Sequence, residues 1–433
     1  MLGTSPAISD EMYSNVHLWN DIYSGQAPWL SGSVKSLNLA AAISSELARL
    51  VTLEMSSSIT GGKRADFLSK QYAPVLKNLR RAVEFACAGG GVVFKPYLSG
   101  KNIGVDIIRS DQFFPIAFDC SGNISSAVFI SRKKIGKKYF ALLEIHELSE
   151  NGVEITNTAY SSDSPYSLGS KVALSCVDEW ASRAAKVRIS GVSSPLFAYF
   201  KMPFANNLDP DSPLGVSAFS RAVGLIEQAD KHFASIMWEY EGSELAVDAS
   251  IDLFAKDDAG NITLPKGKER LFRAFDIDSL RDGAFLKQFS PQIRDTSLFN
   301  GLDKIFKRIE FNCGLSYGSI SEPSSSEFTA TEIISSKQRM YSTVSDIQKS
   351  LENALRDLIR AINVWTSAAK LAPEGEYDLS FSWDDSIIID ASAEQKIRLE
   401  EVNSGILAPE QYLSWRYGLS LEEAKKLLPK KDV

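Results

Sequence analysis

The chain has 433 residues, of which 44% are hydrophobic and 23% charged, with a formal net charge of −7. One hydrophobic core usually serves no more than about 250 to 300 residues, so two or three globular bodies are expected and a low-complexity chain is excluded. The acidic balance argues against a protein that grips nucleic acid through many lysines and arginines, but not against one that DNA slides past.

Four scattered cysteines (Cys87, Cys120, Cys176, Cys313) and three histidines (His17, His146, His232) form no ligand-spaced group. A zinc site or disulfide framework is therefore not expected, and a reducing compartment is the default. Residues Met1 to Pro6 lack the basic region and apolar core of a secretory signal. The most apolar early run, Leu37 to Met55, is interrupted by Glu46, Arg49 and Glu54, which predicts an amphipathic helix and not a membrane span.

In chain order, residues 1–36 mix aromatic anchors (Trp19, Tyr23, Trp29) with turn formers, as an arm that packs on a neighbour or on its own domain. After the Leu37 to Met55 helix, Ser56 to Lys63 reads as a turn. A second helix with Pro74 near its start and Leu76, Leu79, Val83 and Cys87 on one face stops at Gly89-Gly90-Gly91. Neither glycine cluster fits a phosphate loop. Gly61-Gly62-Lys63 has Ser57 where a glycine is needed and Arg64 where Ser or Thr is needed, while Gly89 to Gly91 follows a helix and precedes a strand.

From Val92 to about Ala159 the branched and aromatic runs Ile103 to Arg109, Ser125 to Ser131, Tyr139 to Leu148 and Val153 to Tyr160 predict strands, with a hairpin at Asn151-Gly152. Lys133, Lys134, Lys137 and Lys138 crowd the preceding hairpin, either as a solvated turn or as a contact for nucleic acid or a partner. Pro195 to Pro213 is a connector. A helix is expected from Gly215 to about Tyr240, then a small α/β segment over roughly Glu244 to Ser290 containing Lys266, Lys268, Arg270 and Arg273.

Leu298, Leu302, Ile305, Phe306, Ile309 and Cys313 recur at helical spacing from Thr296 to Cys313, and Gly314 ends that helix. Gly314 to Phe328 holds no regular pattern and reads as a loop. The stripe Val344, Ile347, Leu351, Leu355, Leu358, Ile362, Trp365 then predicts a helix from Ala330 to Trp365, roughly 54 Å long. That is longer than a small domain is wide. Either two core helices of a large α/β enzyme flank a surface loop, or two rigid helices present the loop as in a channel lining.

Tyr377, Leu379, Phe381 and Trp383 alternate as a strand, followed by Asp384-Asp385 and Ile387 to Ile389. Ser392 with Gln395 and Ser420 with Glu423 have capping-box spacing, Pro409 suits a first helical turn and Gly418 a helix stop, so the end is helical. Catalytic proposals find little support. Adjacent Asp384 and Asp385 would point to opposite faces of a strand, and Asp276 and Asp278 have no His or Cys near them.

This order of parts resembles the portal proteins of tailed bacteriophages, most of all those of long-tailed phages with Gram-positive hosts. The resemblance spans nearly the whole chain as an arrangement. It is most specific from Phe299 to Trp365, where Cys313-Gly314-Leu315-Ser316 and Glu327-Phe328-Thr329-Ala330-Thr331-Glu332 flank the loop. It implies an α+β portal fold assembled as a ring, normally a dodecamer, at one capsid vertex of the virion, with assembly in the host cytoplasm. Residues 1–213 would be an arm and wing, 214–241 and 296–313 stem helices, 242–295 a clip, 314–328 a tunnel loop, 329–376 a long wing helix and 377–433 a crown.

The same resemblance implies a channel for packaging and ejecting double-stranded DNA, with no enzymatic activity, cofactor or metal of its own. DNA would be touched weakly and without sequence specificity, and no membrane contact is implied. Its loop would face DNA through Ser319, Ser321, Glu322, Ser324, Ser325, Ser326 and Glu327, a set without a basic residue. Its clip would meet the terminase large subunit and head-tail adaptor through Lys266, Lys268, Arg270 and Arg273, with major capsid and scaffolding proteins as further partners. Another ring-forming phage structural protein, an adaptor or minor capsid protein, and a cytosolic enzyme remain as alternatives.

Overall fold

The computed structural model describes residues 7–244, 246–250, 254–256, 262–263, 272–275, 286–289, 292–322, 330–383, 391–417 and 420–428 of an α+β chain. Ser9 caps the first helix, α1 (Asp10–Tyr23), by accepting a hydrogen bond from the Met12 amide at 3.1 Å, and α1 lays Met12, Val16, Trp19 and Ile22 into the core. The N-terminal arm thus packs on its own body. Then come α2 (Leu39–Thr52), β1 (Met55–Gly61), α3 (Lys63–Lys77) and α4 (Leu79–Gly89).

Two local expectations change here. Ser56 to Lys63, expected as a turn, is mostly strand β1, whose partner lies more than 300 residues away and leaves no local trace. Pro74, expected near a helix start, lies inside α3; the helix ends at Lys77 and the chain restarts as α4 after Asn78.

β2 (Gly91–Ser99) and β3 (Asn102–Arg109) form a hairpin. β4 (Phe113–Phe118), β5 (Ile124–Ile135), β6 (Lys138–Ser149), β7 (Gly152–Ser162) and β8 (Ser170–Val172) follow in spatial order, with β9 (Lys186–Ile189) on another stretch of β7. The expected hairpin is present: Ser149 pairs with Gly152, whose φ of 115° suits glycine. β10 (Ala198–Lys201) joins the small sheet beside β2.

The glycines of the α4–β2 turn serve close packing. A Cβ on Gly90, where φ is 87°, would stand 2.4 Å from the Gly215 carbonyl oxygen, and one on Gly215 would stand 2.1 Å from the Gly90 oxygen. Two backbones therefore cross with no side chain between them. This contact also shortens the helix expected from Gly215: Ala218 N and Ser217 Oγ both donate to the Cys87 carbonyl, at 2.8 and 3.1 Å, so the regular helix α5 runs Val223–Gly242.

Between residues 246 and 289 the described elements are strands: β11 (Ala246–Ser250), β12 (Ala255–Lys256), β13 (Ile262–Thr263), β14 (Phe272–Phe275) and β15 (Leu286–Phe289). β11 lies between β14, which is parallel to it, and β15, which is antiparallel. Next are α6 (Asp295–Asn312), the 39-residue α7 (Ala330–Ala368), β16 (Tyr377–Trp383), α8 (Ala391–Asn403), α9 (Pro409–Tyr417) and α10 (Leu421–Leu427).

β16 pairs with β1 from Met55↔Trp383 to Gly61↔Tyr377, which makes Tyr377–Trp383 part of the main body and not of the helical end. Ser420 and Glu423 form the expected capping box and Pro409 opens α9. Ser392 is already the second residue of α8 and so is not its cap. Asp276, Asp278, Asp384, Asp385, Ile387 to Ile389 and Gly418 lie outside the described residues.

α7 is the axis of the main core. It contacts α2, α3, β2, β3, β10 and β16, and Val344, Ile347, Leu351, Leu355, Leu358 and Ile362 are each fully buried. Arg64 of α3, 1% exposed, fixes its far end by donating to the Asn363 side-chain and main-chain oxygens at 2.6 and 2.7 Å and to the Ala372 carbonyl at 3.1 Å. This is the residue that stands where a phosphate loop would need Ser or Thr. Leu355→Ala should cost about 2–5 kcal/mol in urea unfolding, whereas Leu399→Ala, at a site 45% exposed, should change stability by less than about 0.5 kcal/mol.

Candidate functional site

α5 and α6 lie side by side and antiparallel. The C-terminal part of α5 meets the start of α6 through Glu239, which accepts from Arg294 Nε and Nη2 at 3.0 and 2.8 Å. Midway, His232 Nε2 lies 2.9 Å from the Leu298 carbonyl, and Asn312 Nδ2 reaches the Arg221 carbonyl at 3.2 Å near the other end. Asp230 on α5 is 1% exposed and holds the N-terminal arm, accepting from Trp29 Nε1 at 2.9 Å and the Leu37 amide at 2.8 Å.

Among its described residues, 314–322, the loop after α6 has no regular element, and these nine are firmly held. Glu310, fully buried near the end of α6, accepts from the Ile320 and Ser321 amides with Oε1, at 2.6 and 2.8 Å, and from Ser321 Oγ with Oε2 at 2.8 Å. Ser321 Oγ in turn accepts from the Gly318 amide at 3.1 Å. The Glu322 amide donates to Asp303 Oδ1 at 2.9 Å, and Asp303 pairs with Lys307 at 2.8 Å.

α7 closes the other side. Ser336 Oγ accepts from the Tyr317 amide at 2.8 Å, and the Arg339 guanidinium lies 4.6 Å from the Phe311 ring centre and 5.3 Å from that of Tyr317. Gly314, with φ 71°, brings its Cα so close to Thr343 that an added Cβ would lie 2.4 Å from Oγ1.

The expected site residues divide accordingly. Ser321 is 4% exposed with its hydroxyl donated to Glu310. Ser319 is half-buried, its hydroxyl 3.0 Å from Ser316 Oγ, and Glu322 is exposed. Ser324, Ser325, Ser326 and Glu327 lie outside the described residues, as do Lys266, Lys268 and Arg270. Of Arg273 only the backbone is described, paired with Asp248 between β14 and β11.

Glu310 was missed by sequence reasoning although it leaves a signal. It sits four residues after Phe306 and three before Cys313, at core spacing, where a carboxylate stays only if hydrogen-bonded. Glu310→Ala should raise amide exchange at Ile320 and Ser321 by at least about tenfold, because three donors lose their acceptor. Glu310→Gln, which keeps one acceptor oxygen, should fall between.

A second buried polar cluster lies between β2 and β6. Glu144 accepts from Lys95 Nζ at 2.7 Å and Arg183 Nη1 at 2.6 Å, with His146 Nε2 2.8 Å from its other oxygen. Burial opposes the Glu144 charge, but His146 and the Lys95 ammonium outweigh it and hold the carboxyl well below the usual range. Burial lowers the imidazole of His146 below its ordinary value against the pull of Glu144.

Lys95, Glu144 and His146 are buried and Arg183 reaches them from a half-buried position, so the cluster acts as a polar rivet between sheets. Glu144→Gln leaves Lys95 buried and unpaired and should cost about 3 kcal/mol at pH 7. Because the folded carboxyl is held below its unfolded value, that deficit should be full above about pH 4.3 and shrink as the pH falls further, read from urea midpoints across pH.

Among the described residues no group of three or more His, Cys, Asp and Glu could hold a metal ion, and no helix is long and apolar enough to cross a membrane. The family described as "Phage portal protein, SPP1 Gp6-like" matches residues 36–432. The chain belongs to that phage portal family, a family of structural proteins of the virion. No curated protein matches the sequence.

Proposed function

We propose that the chain is the repeating subunit of a ring-shaped channel at one capsid vertex, through which double-stranded DNA is packaged and later ejected. The observation that carries this reading is the family match over 36–432, and the packed α5–α6 pair leading into a loop anchored on α7 supports it. A ring of about twelve copies is typical of the family. The host type suggested by the sequence, a Gram-positive bacterium, belongs to this reading, as does assembly in the host cytoplasm.

On this reading α5 and α6 are stem helices, the intervening strands a clip, residues 314–328 the tunnel loop and α7 the wing helix. The crown is 377–433, and within it β16 pairs with β1. The clip, with Lys266, Lys268, Arg270 and Arg273, meets the terminase large subunit and the head-tail adaptor, and the wing meets capsid and scaffolding proteins. Alanine at these four positions weakens adaptor binding and leaves ring assembly intact.

The Glu310 anchor refines the mechanism. A loop root fixed to α6 transmits a stem displacement without slack, so the DNA-facing part is Glu322 and the residues beyond it. That stretch carries small hydroxyls and two carboxylates, Glu322 and Glu327, and no cation. Basic side chains would bind phosphates and release counterions, holding a moving duplex in place; hydroxyls and carboxylates touch it and let go. Glu322→Lys with Glu327→Lys should slow packaging or ejection severalfold, measured as DNA protected per particle over time. Unchanged rates in the double variant would remove the loop from the DNA path.

A further inference from the structure

The six-stranded sheet carries apolar side chains on both faces, and on the second Val128, Ala141 and Leu143 are buried while their apolar neighbours reach the surface. Strands β5 and β6 turn Phe129, Leu142, Glu144 and His146 toward the core. They turn Val128, Ile130, Leu143 and Ile145 the other way, beside Phe114 of β4 and Tyr160 of β7. On that second face Phe114, Ile130, Ile145 and Tyr160 stay partly exposed. An antiparallel sheet with one solvated face normally alternates apolar with polar residues. This one does not, which marks the open face as an interaction surface.

The face is shaped and charged. A groove of about 330 Å³ is lined by Arg132, Lys134, Tyr139, Ala141, Tyr166 and Leu168, among others. Beside it lies a second, more polar depression of about 210 Å³, between Tyr13, His17, Asp111, Gln112, Phe114 and Ile130, and Arg132 borders both. Tyr166 is 95% exposed and Leu168 41%, on a loop that forms one wall of the first groove.

Five cations, Arg132, Lys133, Lys134, Lys137 and Lys138, crowd seven residues of a chain whose net charge is −7. Lys133 pairs with Glu179, whereas neither Arg132 nor Lys134 has a carboxylate within ion-pairing distance among the described residues. Lys134 lies over the Tyr139 ring, 5.3 Å from its centre.

We infer that this face docks an acidic segment of another protein, its apolar side chains seated in the two depressions and its carboxylates on Arg132 and Lys134. The apolar floor of the first groove decides between a polypeptide and DNA. Phosphates need cations on a polar surface and have no use for a pit lined by Tyr139, Ala141 and Leu168. An aromatic floor with an arginine at the junction is what a peptide anchor requires. The inference does not depend on the channel reading, since it concerns the six-stranded sheet and not the α5–α6 pair.

The test uses the full chain in its own oligomeric state and fluorescence anisotropy with a labelled short peptide of glutamate and aspartate carrying two phenylalanines. Saturable binding is expected, at least about tenfold weaker for Arg132→Glu and for Tyr166→Ala, and unchanged for Lys349→Glu on the exposed side of α7. Both test positions are exposed, so the variants should fold, and circular dichroism checks it. Absence of saturation, equal binding of a peptide with alanine for phenylalanine, or displacement of the peptide by a DNA duplex of comparable charge would each overturn the inference.

Discussion

The apolar stripe from Val344 to Trp365 on the 39-residue α7 must be kept from water, and most of the fold is arranged to do it. α7 would extend roughly 58 Å, about twice the width of a small domain, so no single layer can cover it. The chain solves this with elements from every region: α2 and α3 from the first hundred residues, β2 and β3 beside them, β10 from the connector, and β16 from beyond the helix itself. At roughly 1.5–3 kcal/mol for each fully buried Leu or Ile, the six largest contacts along the stripe outweigh any local propensity in the segments that cover them. A serine-rich stretch such as Met55–Gly61 becomes a strand because β16, itself packed on α7, pairs with it.

The same helix determines what the loop before it can do. Residues 314–322 are gripped between α6 and α7 by a buried carboxylate, a serine hydroxyl and a stacked arginine, so they form one rigid corner with both helices.

Much of this was legible in the sequence where the signal is periodic. α6 and α7 appear at nearly their true limits because apolar spacing and Gly314 mark them, and the β5–β6–β7 meander shows through its branched runs and the Asn151-Gly152 turn. What stayed hidden depends on distant partners. β1 looks like a turn until β16 is known, and Gly215 to Phe219 reads as helix until its backbone is found crossing Gly90. The site shows the same division. The loop's hydroxyls and carboxylates were readable, but the burial of Ser321 follows from Glu310, which was legible only as an acid on an apolar stripe. The Glu144 cluster joins residues 49 and 39 positions apart, and no spacing rule reaches across that distance.

The central claim is that this chain assembles into a closed ring around a channel, and native mass spectrometry of the purified protein, with negative-stain images of the same sample, tests it most directly. The account predicts a single closed species of about a dozen copies with a central hole. A monodisperse monomer or dimer that persists at high protein concentration and in the presence of its capsid and scaffolding partners would contradict it.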